Sequence, residues 1–199
     1  MSLNIYSIKH PLVLNWTSSI THSNVSSRDK VSFLKKISSA LIYEATRKSI
    51  ETINLSIKNM DKYRRLSLLP QQLSYLILTD AYLSQVLSTD VNALLPSTTI
   101  YPIHKINTCV TDKLMSQDPV LEHVIVKSLG KHLMVLLKNL NSGYSYRVLQ
   151  ILQSNECTSN QIQICCITCS TEALQVLNTH KHNIDIYTAK IFDDDEYSS

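Results

Sequence analysis

Three groupings of side chains in this sequence have the types and spacing to do chemistry. Cys166-Ile-Thr-Cys169 has the spacing of a redox pair or of half a zinc site, with Cys165 beside it and His180 and His182 a short way downstream. Those cysteines fall in QIQICCIT (161–168), which reads as a buried strand. Cysteine packs there as a small hydrophobe, so core packing is the expected role. The second grouping is Ser142-Gly143-Tyr144-Ser145, a glycine-containing step from an apolar run into a helical pattern. In a parallel sheet, the carboxyl end of a strand is where ligands bind. Asn139, Asn141 and Ser142 have the hydrogen-bonding groups for a ligand, but the same groups serve a turn and a helix cap, and that is the role expected. The third grouping, Asp193-Asp194-Asp195-Glu196, reads as a frayed end rather than a metal site, because four adjacent carboxylates repel one another without a rigid frame. His10, His22, His104, His123 and His132 follow no ligand spacing. No catalytic, cofactor or metal residue is assigned.

Composition narrows the field. The chain has 199 residues and 2 glycines, Gly130 and Gly143. Average usage of about 7% would supply roughly 14. Loops that cradle phosphate need glycine so that the backbone can approach the anion, so neither a Walker loop nor a dinucleotide fingerprint can be written here. The net charge of +3 is mild, and the longest basic clusters, Lys35-Lys36 and Arg64-Arg65, read as solvated helix faces or loop charges. Nucleic acid is not an expected partner. No apolar run reaches the ~18 residues of a membrane span, and the start lacks the pattern of a secretory signal. Five cysteines, an odd number with Cys165, Cys166 and Cys169 crowded in one segment, fit a reduced protein without a disulfide framework.

The elements that must hold these groups follow from periodicity. Val31, Leu34, Ile37, Leu41 and Ala45 form one stripe of a helix over 28–49, capped by Ser26 or Ser27. Ile53, Leu55 and Ile57 share a face of a strand over 52–58. Leu66 to Leu69, stopped by Pro70, predicts a strand end or a turn. Ser74 to Leu95 predicts a helix closed by Pro96, and Thr98 to Ile103 a strand weakened by Pro102. Residues 118–129 are ambiguous between helix and loop. Leu133 to Leu137 predicts a buried parallel strand and Tyr146 to Leu152 a helix. After the strand ending at Thr168, Glu172 to Leu177 starts a helix and Ile184 to Ile191 is a last strand. Strands alternating with helices predict one α/β domain around a mainly parallel sheet flanked by helices.

Five segments carry a resemblance. Ile8-Lys-His-Pro-Leu-Val13, followed by a helix ending Leu41-Ile-Tyr-Glu-Ala-Thr46, resembles the N-terminal part of uracil phosphoribosyltransferases, with KHPLV leading into L-x-Y-E-A-T. Leu95-Pro-Ser-Thr-Thr-Ile100, Ser170-Thr-Glu-Ala-Leu-Gln-Val-Leu177 and Asp185-Ile-Tyr-Thr-Ala189 are similar to that family's V-P-S-A-R-I, A-P-E-G-I-x-x-L and E-L-Y-T-A. The resemblance implies a type I phosphoribosyltransferase fold. It also implies pyrimidine salvage, making UMP from uracil and phosphoribosyl pyrophosphate with Mg2+, in dimers or larger oligomers.

The family's working parts match poorly. Its loop D-P-x-x-A-T-G-G-S falls at Leu136-Leu-Lys-Asn-Leu-Asn-Ser-Gly-Tyr144, where Gly143 alone agrees and Leu136 stands for the leading acid. Its I-L-R-A-G falls at Ile77-Leu-Thr-Asp-Ala81, with Thr79 for the arginine and Asp80 set to repel pyrophosphate. Its M-Y-R falls at Ile103-His-Lys105, which keeps a positive charge without arginine's fork. The G-Y-I-I-P-G-L-G-D hood that covers uracil is not found after Tyr187-Thr-Ala-Lys190.

The expectation is therefore a single domain over 1–199 without that hood, an inactive homologue that needs no Mg2+ or phosphoribosyl pyrophosphate. Residual transferase activity, or binding of uracil or UMP, is the alternative. A homodimer is the expected assembly. The match from Ile8 leaves no room for a cleaved presequence. Composition rich in Ile, Ser, Asn, Leu and Lys suits a plastid-encoded protein of the stroma, or else a bacterial cytoplasm.

Overall fold

The computed structural model describes residues 3–21, 25–59, 62–70, 74–95, 97–103, 132–154, 162–179 and 183–193. In chain order the elements are β1 (Leu3–Ser7), α1 (Pro11–Thr21), α2 (Ser27–Thr46), β2 (Ile53–Asn59), β3 (Lys62–Leu68), β4 (Tyr75–Asp80), α3 (Ala81–Leu94), β5 (Thr98–Ile103), β6 (His132–Leu140), α4 (Ser142–Ser154), β7 (Ile162–Ser170), α5 (Thr171–Asn178) and β8 (Ile184–Phe192). Six strands form one sheet in the order β1-β8-β7-β6-β4-β5, every neighbouring pair parallel. This is the α/β architecture expected.

Helices cover both faces of the sheet, so its central strands are apolar on both sides. On one face α1, α2 and α3 bring Val13, Leu34, Ile37, Leu41, Leu83 and Leu87 against Ile77, Met134, Leu136 and Cys165. On the other, α4 and α5 bring Val148, Leu149, Ala173 and Leu177 against Leu78, Val135, Leu137 and Ile164. β8 is likewise buried on both faces through Ala189, so its alternation of Ile with polar residues does not separate core from solvent.

Several expectations change here. The helix expected over Ser74 to Leu95 is a strand, β4, followed by α3. An uninterrupted apolar run fits the helical spacing as well as a doubly buried strand does, and the boundary lies at Asp80, whose carboxylate accepts the Leu83 N–H at 2.8 Å and caps α3. The strand end expected at Leu66 to Leu69 is found, since β3 stops at Leu68 after pairing antiparallel with β2 from Ile53↔Leu68 to Asn59↔Lys62. Arg64 and Arg65 therefore sit on a strand, not on a helix or loop. α4 begins at Ser142, four residues before Tyr146, because Asn141 caps it through the Tyr144 N–H. Pro102 is accommodated because β5 is an edge strand. Residues 118–129 lie outside the described residues.

Candidate functional site

The site follows from the sheet order. β4 and β6 are neighbours, yet β4 leads into α3 on one face and β6 into α4 on the other. The connections diverge and leave a crevice beyond the carboxyl ends of the two strands, the usual ligand position in an open parallel sheet. A cavity of about 470 Å³ lies there, lined by Asp80, Ala81, Tyr82, Ile103, Lys138, Asn139, Asn141 and Tyr144.

Each polar group in the cavity has a local structural reason for its place. Asp80 ends β4 and caps α3. Asn141 lies between β6 and α4; its Oδ1 accepts the Tyr144 N–H at 3.0 Å, and its carbonyl accepts the Ser145 N–H. Asn139, near the end of β6, accepts from the Thr168 hydroxyl of β7 at 2.9 Å. Burial pushes the Tyr144 phenol up, and the Asp80 carboxylate pushes it the same way. Lys138 supplies the positive charge and forms no ion pair with a described carboxylate.

The next junction along the sheet has the same construction. Ser170, the last residue of β7, accepts the Ala173 N–H through its hydroxyl at 3.2 Å and caps α5. Helices α1, α3, α4 and α5 start at the carboxyl edge of the sheet, after β1, β4, β6 and β7. In each, one first-turn N–H is accepted by a side chain: His10, Asp80, Asn141 and Ser170.

Asn139, Asn141 and Tyr144 thus do gather at the cavity, while Ser142 and Gly143 do not line it. Thr79 and Leu136, opposite each other across β4 and β6, do not reach it. Leu136 is 1% exposed among the side chains packed under α2 and α3. At the cavity, β6 presents Lys138 and Asn139, two and three residues further on. Tyr82 and Lys138 carried no recognisable signal. Asp80 did, as an N-cap residue three positions before the Leu83 amide.

The remaining candidates are dispersed. The Nδ1 of His10 accepts the Leu12 N–H at the start of α1, and His132 opens β6 with its ring stacked on Tyr75. Lys35 pairs with Asp90, and Lys36 lies over the Trp16 and Phe33 rings. His22, His104, His123, His180, His182, Lys105 and residues 194–196 lie outside the described residues. Among the described residues, no group of three or more His, Cys, Asp or Glu side chains could hold a metal ion. Nor does any described helix have the length and apolarity to cross a membrane.

Cys165, Cys166 and Cys169 are fully buried in β7 as free thiols. Burial pushes the Cys165 thiol far up, and Cys166 is raised by its hydrogen bond with Cys169 and by burial. A thiol that stays protonated is neither nucleophile nor metal ligand. In a Cys109→Ser/Cys157→Ser background, native protein at pH 8 should leave an aromatic disulfide reagent unreacted and release three equivalents in denaturant. A rapidly reacting thiol in the native state would contradict the packing role.

The raised values also fix a pH dependence. The unfolded chain gives up these protons first, from the ordinary thiol range near pH 8.5 upward. Tyr187, pushed up to about 12 by burial and then by Asp185, extends the window. Stability contributed by these groups is complete below about pH 8 and is lost progressively toward pH 12 and beyond. Urea titrations between pH 7 and 11 should show the midpoint falling with base.

Comparison with known proteins agrees with this frame. A family model described as uracil phosphoribosyltransferase matches residues 7–198. The chain belongs to the uracil phosphoribosyltransferase family. It is similar to a uracil phosphoribosyltransferase of Synechocystis sp., 24% identical over 191 residues, covering 95% of this chain and 87% of the relative. It is also similar to a uracil phosphoribosyltransferase homolog of Porphyra purpurea, 25% identical over 193 residues, covering 96% and 89%. The AQ2163 protein from Aquifex aeolicus shares the fold, with a TM-score of 0.68 at 14% identity over 95% of this chain and 88% of that one.

Proposed function

We propose that this chain is a non-catalytic member of the uracil phosphoribosyltransferase family, a folded scaffold that works as a homodimer. One observation carries the reading: at the helix N-termini after β4, β6 and β7, a first-turn N–H is already taken by Asp80, Asn141 and Ser170. A helix N-terminus holds phosphate through unsatisfied N–H groups and the positive end of its dipole. Here one of those N–H groups at each terminus has an internal acceptor, and at α3 the acceptor is itself an anion. Displacing a cap gives up about 1 kcal/mol at each terminus before any phosphate contact forms.

Mg2+ fares no better. It dehydrates reluctantly and is held through one or two carboxylates together with substrate phosphates. The cavity offers a single carboxylate, Asp80, which also caps α3 and has no second carboxylate beside it in the lining. The residues do not fit the pair, and no transfer step is derived through them. Composition supports a plastid stroma as the compartment, with a bacterial cytoplasm as the alternative.

Titration calorimetry tests this directly. Folded protein should give no saturable heat with millimolar phosphoribosyl pyrophosphate plus Mg2+, and no labelled UMP should form from labelled uracil. One-site binding of that substrate, or turnover above the protein-free rate, would overturn the reading.

A further inference from the structure

Resting on the homodimer reading, we propose that the distal end of the β2–β3 hairpin receives the acidic segment of a second copy of this chain, residues 193–196. In the sequence, the basic residues here stand out only as the pair Arg64-Arg65. The strand register enlarges the cluster. Lys58 lies opposite Tyr63, with Lys62, Arg64 and Arg65 on either side of that tyrosine. At about 3.3 Å per residue along a strand and about 5 Å across to the next, the four cations lie within about 10–12 Å of one another.

All four are exposed, and none forms an ion pair with a described carboxylate. β2 and β3 contain no Asp or Glu, and Asp61, between them in the sequence, is outnumbered four to one. Lys58 and Arg65 share one face of the hairpin, Lys62 and Arg64 the other. A chain crossing this end therefore meets cations on both faces.

The occupant is named by charge and length. Asp193-Asp194-Asp195-Glu196 supplies four carboxylates in a row. Extended, they span about 10–13 Å, the length of the cation cluster. Each cluster repels itself when alone, and pairing the two relieves both. Exposed ion pairs are individually weak. Within an assembled dimer, however, four of them act together at high effective concentration.

A second copy is the donor because the two segments leave the sheet at opposite edges. β8 carries the chain to the carboxyl edge, where Asp193 is exposed. The hairpin departs from the amino edge. There the Ala45 carbonyl, near the end of α2, accepts from Gln163 near the start of β7, and Ser49 bonds Tyr75, the first residue of β4. The nine residues of β8 set these edges about 30 Å apart. The hairpin also lies outside both core layers, open to another molecule.

Carbodiimide coupling tests the contact, since it joins a carboxylate to a lysine amine, with loss of water, where the two touch. Isotope-light and isotope-heavy full chains are allowed to exchange, coupled, digested and read by mass spectrometry. Lys58 or Lys62 should be joined to residues 193–196 in peptides that pair a light partner with a heavy one. The yield should fall at least about fivefold in 1 M salt, where the screening length is about 3 Å. It should fall at least about threefold in Arg64→Gln/Arg65→Gln, which removes two charges and keeps both amines. Light scattering on the same samples reports whether each is a dimer.

Links between like isotopes alone overturn the assignment to a second copy. A yield indifferent to salt and to the arginine substitutions overturns the charge pairing. A dimer that forms no such link overturns the inference and leaves the homodimer reading standing, whereas a monomer that forms none overturns both.

Discussion

Leu136→Asp, which writes the family's leading acid back at the position where the motif places it, should strongly destabilise the protein and restore no ligand binding. Leu136 is 1% exposed in the middle of β6, packed with Met134 and Ile77 under α2 and α3. An uncompensated carboxylate there either ionises in an apolar layer or stays protonated with unfilled hydrogen-bonding capacity. The Thr79 hydroxyl, directly opposite in register and without a partner among the described residues, supplies one hydrogen bond at most. Removing a leucine's packing and burying a charge together cost about 3–5 kcal/mol, a large part of the 5–15 kcal/mol that typically holds a domain.

At this chain length that corresponds to a fall in melting temperature of about 6–20 °C. Lys138→Asp, two residues further along the strand and half-buried at the cavity, should melt within a few degrees of the parent. Circular dichroism melts of the two variants decide the matter. A Leu136→Asp protein as stable as the parent would mean that β6 presents its residues differently from the register described here.

The contrast between Leu136 and Lys138 shows what the sequence could and could not reveal. The run Leu133 to Leu137 was legible as a buried strand because nothing polar interrupts it. For the same reason it carries no alternation, and without alternation a motif's register against the cavity is not readable. Tyr75 to Asp80 was hidden in the opposite way. Its apolar residues join those of α3 into one run with helical spacing, and the Asp80 cap is the local mark of the break. Helix α2 was readable because it has one buried stripe and a serine cap.

The cavity depends on strand order, and strand order rests on pairings between residues far apart in the chain, such as Leu133↔Ile162 and Tyr75↔His132. No local pattern encodes those. The resemblance to the family supplied the fold that periodicity alone left open. It could not show that Asp80, Asn141 and Ser170 had become caps, because a cap is a hydrogen bond and not a motif.

The hairpin of β2 and β3 is where the family scaffold should act as an interface, and disrupting it should convert a dimer to a monomer. It forms a sheet of its own, hydrogen-bonded to none of the other six strands. The register puts Ile53, Leu55, Ile57, Leu66 and Leu68 on one face together with Arg64, while Asn54, Ser56, Lys58, Tyr63, Arg65 and Ser67 take the other. The five apolar side chains on that face are 42–54% exposed. A free two-stranded hairpin is at best marginally stable in water, and a contiguous apolar face of this kind is normally covered.

A second copy would cover this face if the two hairpins met about a two-fold axis. Set antiparallel, Leu55 and Leu66 of both copies meet at the centre. The Arg64 end of each hairpin, carrying Lys58 and Lys62, then lies toward the base of the other, where Glu51 is exposed. Like charges are thereby kept apart. Light scattering on a sizing column should give about 45 kDa for the parent, twice the 22.6 kDa chain. Leu55→Asp/Leu66→Asp should elute as a 22.6 kDa species with an unchanged circular dichroism spectrum, because the hairpin lies outside both core layers. A parent that is already monomeric at high micromolar concentration, or a double variant that stays dimeric, would place the interface elsewhere and leave the exposed hairpin face without its partner.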